Sequence, residues 1–358
     1  MLVGIAFASA AADGFGLARR NRAAWHLLEV LGKVAGLTCR IIAEPTAPED
    51  LAPLSPTEAA RCCDLIIAVG QDLALADIAP FRARGGRYVL FLPDNPYAGW
   101  VERSIFDRGA KFGPVECHDE IWTFDTFRNQ ERLLHTLYRC PVRFVPRVWS
   151  ASVIERHDRR QAEGAGFVLA YAPRCGGALR CVINEPNATA RKMGVIPLLA
   201  VNRFHTENPG AIARVEYRHG VHLPDQLTFN FIAANCEVHH QGLLTIWDDR
   251  DFFAFLPDHA DFVFAHNGDG SVEFDHLDTL HAGYPLLHNV PALSDLGQYY
   301  ADSDSDSDRA VALLGDILLA NPAHFEAHRA ETRRKLRRFD VANDDIVAVY
   351  QRAVMREV

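Results

Sequence analysis

The residues with the clearest chemical potential follow an apolar, strand-like run that ends at Ile183. Pro186 cannot pair within a sheet, and Asn187 or Thr189 can cap a helix that begins there. A helix that starts where a strand ends directs free backbone N–H groups and the positive end of its dipole at one point. The spacing therefore predicts a helix within residues 185–193 whose amino end can bind an anion.

Two cations, Arg191 and Lys192, stand in the first turn of that predicted helix. Positive side chains are unfavourable at this end of a helix unless an anion neutralises them. One interpretation is a nucleotide diphosphate held by the segment from Glu185 through Asn187 to Lys192. The other is an ordinary capped surface helix, and the spacing alone favours neither.

A second candidate is the carboxylate of Asp278, on a short predicted helix that ends at Gly283 before a strand begins at Pro285. A carboxylate at the carboxyl edge of a parallel sheet can bind both hydroxyls of a ribose. The alternative is a capping or solvated acid, because a helix–Gly–x–Pro–strand unit is only moderately specific.

The bulk properties exclude some classes of protein. The chain has 358 residues, is 49% hydrophobic and carries a net charge of -9. Two domains are expected at this length, and general nucleic-acid binding is not, because it usually needs a basic excess. No apolar run reaches the roughly 18 residues that cross a bilayer, and the amino terminus lacks the basic start of a signal peptide. We expect a cytoplasmic protein with at most peripheral membrane contact.

Neither a metal ion nor a cofactor is predicted. The eight cysteines show no Cys-x-x-Cys pair and no zinc-type spacing with histidine. Several lie in apolar runs, which favours buried free thiols in a reducing cytoplasm. His239 and His240 lack a matching carboxylate or cysteine, and the acidic tract 302–308 lacks the Gly and Glu of an EF-hand loop.

Strand and helix signals alternate along both halves of the chain, which predicts an α/β protein. The strands expected in the first half lie near residues 2–8, 37–43, 65–70, 87–92, 120–124 and 142–145. Those expected in the second half lie near 167–171, 179–183, 227–232, 243–247, 262–265 and 285–288, the first two of which could pair as a hairpin across 176–177. Such alternation, with right-handed crossovers, gives two Rossmann-like doubly wound parallel sheets.

A polar, charged stretch at 150–166 marks the expected domain boundary. We predict one domain at 1–150, a second at 151–340, and a last helix at 341–358 that packs back on the first domain.

The string Leu277-Asp-Thr-Leu-His-Ala-Gly-Tyr-Pro-Leu286 resembles the Glu-Ala-x-Ala-x-Gly-x-Pro-Val element of GT-B glycosyltransferases. In that family the acid at the position of Asp278 binds the ribose of the nucleotide sugar. The chain is more closely similar to a bacterial family of unknown function that is grouped with these enzymes. The matching strings are Asp119–Trp122, Pro141–Pro146 with Trp149, Glu185–Asn187 with Lys192, Gly283–Asn289 and Leu296–Tyr300.

The resemblance implies a GT-B architecture, in which two Rossmann-like domains face a cleft and the second binds a nucleotide sugar. Arg250 and His266 follow predicted strand ends, so both are expected to line the donor site together with Glu273 and Asn289. For Arg250 a salt bridge within 248–251 is an equal alternative.

In inverting members of that family, a carboxylate or histidine of the first domain deprotonates the acceptor. Asp13, in the loop after the first strand, is the candidate base; the alternative is a turn-forming Asp before Gly14. Two features depart from the family pattern. Gly270 stands where many retaining members carry a Glu eight residues before the ribose-binding acid, and the loop 9–16 lacks a Gly-Gly pair.

The sequence thus predicts a metal-independent glycosyltransferase that moves a sugar from a UDP- or GDP-linked donor to a hydroxyl acceptor such as a glycan. Two alternatives stay open. One is a nucleotide-sugar epimerase of the same architecture, which acts without an acceptor. The other is a catalytically inactive module that only binds its ligand, which the glycine at 270 allows.

Overall fold

The chain divides into two compact units in the computed structural model, one formed by residues 1–153 with 337–358 and the other by residues 154–336. The structure describes residues 1–7, 19–43, 53–105, 116–162, 169–172, 174, 177–185, 187, 189, 191–248, 251–301, 307–320 and 322–356. Within these ranges, no helix is long and apolar enough to span a bilayer.

The first unit contains a six-stranded parallel sheet in the order β2-β1-β3-β4-β5-β6. Its strands are β1 Leu2–Ala6, β2 Thr38–Ile42, β3 Leu65–Val69, β4 Arg87–Leu92, β5 Glu120–Phe124 and β6 Val142–Val145. The helices between them are α1 Arg19–Leu31, α2 Pro56–Cys62, α3 Leu75–Ala83, α4 Pro96–Ile105 and α5 Glu131–Tyr138. All residues of β3 and β5 are buried, as parallel strands covered by helices on both faces require.

The second unit contains another six-stranded parallel sheet, in the order β12-β11-β10-β7-β8-β9. Its strands are β7 Leu179–Ile183, β8 Ile212–Tyr217, β9 Leu244–Ile246, β10 Phe262–Ala265, β11 Leu286–His288 and β12 Gln298–Tyr299. Its helices are α6 Ser152–Ala162, which begins at the boundary, α7 Val195–Glu207, α8 Leu227–Ala234, α9 Glu237–His240, α10 Phe252–His259, α11 Phe274–Ala282, α12 Ser307–Leu319 and α13 Pro322–Leu336.

The strand order of this second sheet reverses between β7 and β10. From β7 the chain continues outward to β8 and β9 on one side, and it then returns to β10 and continues to β12 on the other. In open α/β sheets, ligands bind in the crevice at the carboxyl ends of the strands beside such a reversal. The topology therefore directs attention to the residues that follow β7 and β10.

The doubly wound α/β architecture predicted from the sequence is confirmed, but several expectations for the second half are wrong, two of which concern strands. Residues 227–232 form part of helix α8 instead of a strand: Phe229 and Ala233 are buried one helical turn apart while Phe231 is exposed. The predicted hairpin is also wrong, because the described residues 169–171 form no strand and β7 pairs in parallel with β8 and β10.

The last helix, α14 Asp344–Met355, lies in the first unit beside α1 and β6. Its Tyr350 is fully buried, and the hydroxyl donates a hydrogen bond of 2.9 Å to the carbonyl of Pro146. The segment that closes this unit is therefore held by a specific buried contact as well as by apolar packing.

A buried carboxylate also fixes this end of the chain. Glu120 on β5 lies 2.9 Å from the guanidinium of Arg87 and 3.3 Å from that of Arg356, and it accepts a 3.0 Å hydrogen bond from the indole of Trp122. Arg87 in turn donates to the carbonyl of Val354, so one carboxylate links two strands to the end of α14.

We expect Glu120→Gln to destabilise the protein by roughly 2–3 kcal/mol, because it leaves the half-buried guanidinium of Arg87 without its charge partner. Glu116→Gln is the matched control, since Glu116 pairs with Arg139 at 3.3 Å but both side chains are largely exposed. Urea unfolding of both variants measures the difference. Equal loss of stability in the two variants would contradict the role given to Glu120.

Candidate functional site

Buried polar residues gather where β7, β10 and β11 end. A carboxylate oxygen of Glu185 accepts the backbone N–H of His266 at 2.7 Å, which bridges the two strands at the reversal of strand order. Asn289 accepts the N–H of Asn267 at 2.8 Å and donates to its carbonyl at 3.2 Å. The His266 ring lies 2.7 Å from the hydroxyl of Tyr300, just beyond β12. Four adjacent strand ends are thus joined into one ordered polar edge.

Asn187 shapes the turn that follows β7. Its φ of 50° lies in the left-handed region, which asparagine tolerates better than most residues. The side-chain oxygen accepts from the N–H of Gly194 at 2.9 Å and the hydroxyl of Tyr217 at 3.0 Å. The side-chain nitrogen donates to the carbonyls of Glu185 at 2.8 Å and Arg218 at 2.9 Å. All four hydrogen-bonding positions of the amide are used, so Asn187 holds the loop and offers no free side-chain group to a ligand.

The prediction of a helix within residues 185–193 is wrong. Asn187 instead donates its N–H to the carbonyl of Lys192 at 3.0 Å, and Lys192 donates to that of Thr189 at 3.2 Å, which closes a tight loop. Helix α7 starts only at Val195, after Gly194. The side chain of Asn187 accepts from the amide of Gly194, just before α7. Asn187 therefore does not cap a helix within residues 185–193, and it holds the loop that leads into α7.

The two cations of this loop lie in different environments. Lys192 is buried and forms an ion pair with Glu273, whose carboxylate also accepts a 3.2 Å hydrogen bond from the hydroxyl of Ser271. Arg191 is exposed, and its carbonyl accepts the N–H of Gly268 at 2.7 Å. An anion that binds at Lys192 must therefore compete with Glu273, whereas Arg191 is open to solvent.

Asp278 lies on α11 with none of its surface exposed, which excludes the solvated acid considered from the sequence. Helix α11 begins with a capping box between Glu273 and His276 and ends at Gly283 with φ of 86°. The predicted helix–Gly–strand unit is therefore present, and its start carries the carboxylate that pairs with Lys192. The remaining two predicted site residues, Asp13 and Arg250, lie outside the described part of the chain.

Arg218, which the sequence did not indicate, adds a buried cation at the end of β8. It donates to the side-chain oxygen of Asn184, and the side-chain nitrogen of Asn184 donates to the carboxylate of Asp275 at 3.0 Å. Its guanidinium lies 5.1 Å from the ring centre of Phe252 and 5.3 Å from that of Phe255. The sequence did not indicate Arg218 because strand β8 was not predicted. Arg214 and Glu216 interrupt the apolar run of β8, so only the alternation of apolar and charged residues could have indicated a strand.

The fold of the chain is that of the GT-B glycosyltransferases. It matches α,α-trehalose-6-phosphate synthase from Burkholderia multivorans with a TM-score of 0.55 and 13% identity, over 99% of this chain and 97% of the other. It matches WaaG, a glycosyltransferase involved in lipopolysaccharide biosynthesis, with a TM-score of 0.54 and 12% identity over 99% of both chains. The N-terminal domain of Candida albicans trehalose-6-phosphate phosphatase matches with a TM-score of 0.56 and 10% identity, over 99% of this chain and 96% of that domain.

The chain belongs to the family described as protein of unknown function (DUF2827), whose model matches residues 42–354. No curated protein matches it in sequence. At identities of 10–13%, the structural likeness establishes the fold and leaves the reaction to be argued from the site.

His288, at the end of β11, makes this part of the fold sensitive to acid. Burial lowers the pKa of its imidazole to about 4 from 6.5, while the ring nitrogens contact the carbonyl of Leu296 at 2.8 Å and the N–H of Val290 at 3.1 Å. The unfolded chain therefore binds a proton at this residue that the folded chain refuses between pH 6.5 and pH 4. Stability falls as pH falls through that window.

The unfolding free energy should fall as pH falls from 6.5 to 4. We expect His288→Gln to make this loss smaller by about 3 kcal/mol. His240→Gln is the control, because this histidine is exposed and the same substitution should leave the slope unchanged. Urea unfolding at several pH values measures the slope. A His288→Gln slope equal to that of the unsubstituted protein would refute the assignment.

Proposed function

We propose that the chain is a glycosyltransferase that moves a sugar from a nucleotide diphosphate donor, UDP- or GDP-linked, to a hydroxyl acceptor. The observation that carries the proposal is the polar edge at the strand reversal of the second unit, where Glu185, Lys192, His266 and Asn289 follow adjacent strands of a GT-B fold. This is the position at which doubly wound sheets bind nucleotides.

In this proposal, Lys192 and Arg191 bind the diphosphate. Asp278 binds the ribose, which requires that donor binding expose a carboxylate that is fully buried in the structure without ligand. Departure of the diphosphate is the step that needs help, because negative charge develops on the β-phosphate oxygen as its bond to the sugar breaks. Fixed cations and backbone N–H groups in a site shielded from water stabilise that charge without reorganising. We propose that these groups suffice without a metal ion.

Glu273 has a specific part in donor binding. It neutralises Lys192 when no donor is present, since a buried ammonium without a partner would be costly. An arriving phosphate takes over Lys192, and the released carboxylate then lies beside the donor. Glu273 is three residues from Gly270, where many retaining GT-B enzymes carry a glutamate, so it is our candidate for the carboxylate that contacts the donor sugar.

The first unit would bind the acceptor, a glycan or another molecule with a free hydroxyl group. Asp13 remains our candidate for the base that deprotonates it. We place the reaction in the cytoplasm, which the cysteines support: all seven in the described part of the chain are free thiols, as a reducing compartment favours.

We expect Lys192→Met to weaken binding of UDP or GDP at least tenfold, because it removes a charged hydrogen bond to phosphate. Glu273→Gln should bind the nucleotide as tightly as the unsubstituted protein or more tightly, since the competing carboxylate is neutralised. Lys335→Met is the control: Lys335 also contacts an acid of the second unit, Asp295, but lies on α13 and has no part in the proposed donor site. Isothermal titration measures the affinities.

A folding control accompanies this test. Lys192→Met leaves Glu273 buried without its partner and should lower the thermal midpoint, whereas the double variant Lys192→Met/Glu273→Gln should recover part of that loss. Reduced affinity in both variants would then reflect the lysine and not the fold. Unchanged affinity in Lys192→Met would remove the residue from the donor site.

Product analysis separates the three candidate functions. A transferase incubated with its nucleotide sugar should release nucleotide slowly by hydrolysis, and faster when a suitable acceptor is added. An epimerase would convert the donor to its epimer without any acceptor. Tight nucleotide binding without turnover, both with and without an acceptor, would identify the chain as an inactive binding module.

A further inference from the structure

Three potential metal ligands meet inside the first unit, apart from the residues proposed for donor binding. Asp72 follows β3, and Cys117 and His118 precede β5. Nε2 of His118 lies 2.7 Å from an oxygen of Asp72 and 3.6 Å from the sulfur of Cys117, and all three ligand atoms lie within 4.8 Å of one another. The side chains of His118 and Asp72 are 0% and 8% exposed.

The surrounding residues hold these ligands in place. The Tyr88 hydroxyl donates to the same Asp72 oxygen at 3.1 Å and accepts the N–H of Leu73 at 3.0 Å. The His118 ring stacks on Tyr88 at 5.7 Å and meets the edge of Tyr138 at 5.2 Å. The hydrogen bond from Tyr88 orients the carboxylate of Asp72 from behind, which is typical of metal ligands in proteins, whereas the imidazole of His118 is held by ring packing.

We propose that Asp72, Cys117 and His118 form a binding site for a divalent transition-metal ion, with Zn²⁺ as the preferred ion. A thiolate, an imidazole and a carboxylate are the three ligand types that zinc takes in proteins. Ca²⁺ and Mg²⁺ require oxygen ligands, which excludes them from a site with sulfur and nitrogen. Zn²⁺ would also balance the two negative charges of the carboxylate and the thiolate.

The two distances from the His118 nitrogen can be compared with those of a tetrahedral site. With Zn–S near 2.3 Å and Zn–N and Zn–O near 2.1 Å, ligand atoms of one tetrahedron lie roughly 3.4–3.6 Å apart. The sulfur and the imidazole nitrogen already have this separation. The carboxylate oxygen must move away from the imidazole by roughly 0.7 Å to admit the ion, a shift within reach of one side-chain rotation.

A metal here would have a structural effect that is independent of the glycosyltransferase proposal. It would join the loop that leads into α3 to the segment that enters β5, which are otherwise linked in this cluster by the contact between Asp72 and His118. Three protein ligands leave one position for a water molecule. Sequence rules missed the cluster because only Cys117 and His118 are adjacent, and Asp72 comes from another strand–helix connection.

The test is titration of the chelator-treated full-length protein with Co²⁺, which substitutes for Zn²⁺ and reports its ligands in the absorption spectrum. We expect a single equivalent to bind, with thiolate-to-cobalt charge-transfer absorbance that Zn²⁺ abolishes on displacement. Cys117→Ser should lose that absorbance, and Asp72→Asn should weaken binding at least tenfold. Cys236→Ser, which alters a buried free thiol of the second unit, should bind Co²⁺ normally.

Thermal unfolding keeps the test decisive. Zn²⁺ should raise the midpoint of the unsubstituted protein and of Cys236→Ser, because it binds the folded state, but not that of Cys117→Ser. If Cys117→Ser fails to fold, Asp72→Asn supplies the same comparison. Absence of Co²⁺ binding, or charge-transfer absorbance that persists in Cys117→Ser, would overturn the site. Nucleotide affinity is measured separately and bears on neither outcome.

Discussion

The hydrogen bond from the backbone of His266 to the carboxylate of Glu185 is the contact on which the second unit depends. It joins the ends of β7 and β10 where the strand order reverses, the one place in the sheet where neighbouring strands send their connections in opposite directions. A carboxylate buried to 3% exposure needs such a donor, since burial without one would be costly. Asn187 and Asn289 extend the same principle, with side-chain amides bonded to backbone groups of neighbouring strand ends.

The hydrogen bonds of this polar edge hold the proposed donor site in a fixed geometry. The ion pair between Lys192 and Glu273 is the part of the site that we propose changes when a ligand binds. A buried lysine needs a charge partner, and Glu273 provides it in the structure. In the function we propose, donor binding would exchange this internal anion for the diphosphate. The exchange would release the Glu273 carboxylate three residues from Gly270, the position of the glutamate in the resemblance to retaining GT-B enzymes.

The sequence predicted those features that depend on local pattern. Continuous apolar runs such as Leu65–Val69 identify buried parallel strands, and the glycine at 283 marks the end of α11, because each signal lies within a few residues. It failed where distant contacts decide the structure. Asn187 looks like a helix cap, but bonds to Tyr217 and Arg218 from β8 and the following turn draw it into a loop. The partner of Lys192 is 81 residues away, and no local spacing could have indicated it.

Hydrogen–deuterium exchange of the full-length protein with and without UDP and GDP tests the central claim most directly, because it locates the ligand without presupposing the reaction. The account predicts slower exchange, with at least one nucleotide, in the segments that follow β7, β10 and β11 of the second unit. Nucleotide binding that protects only segments of the first unit, or no protection at saturating concentrations of either nucleotide, would contradict it.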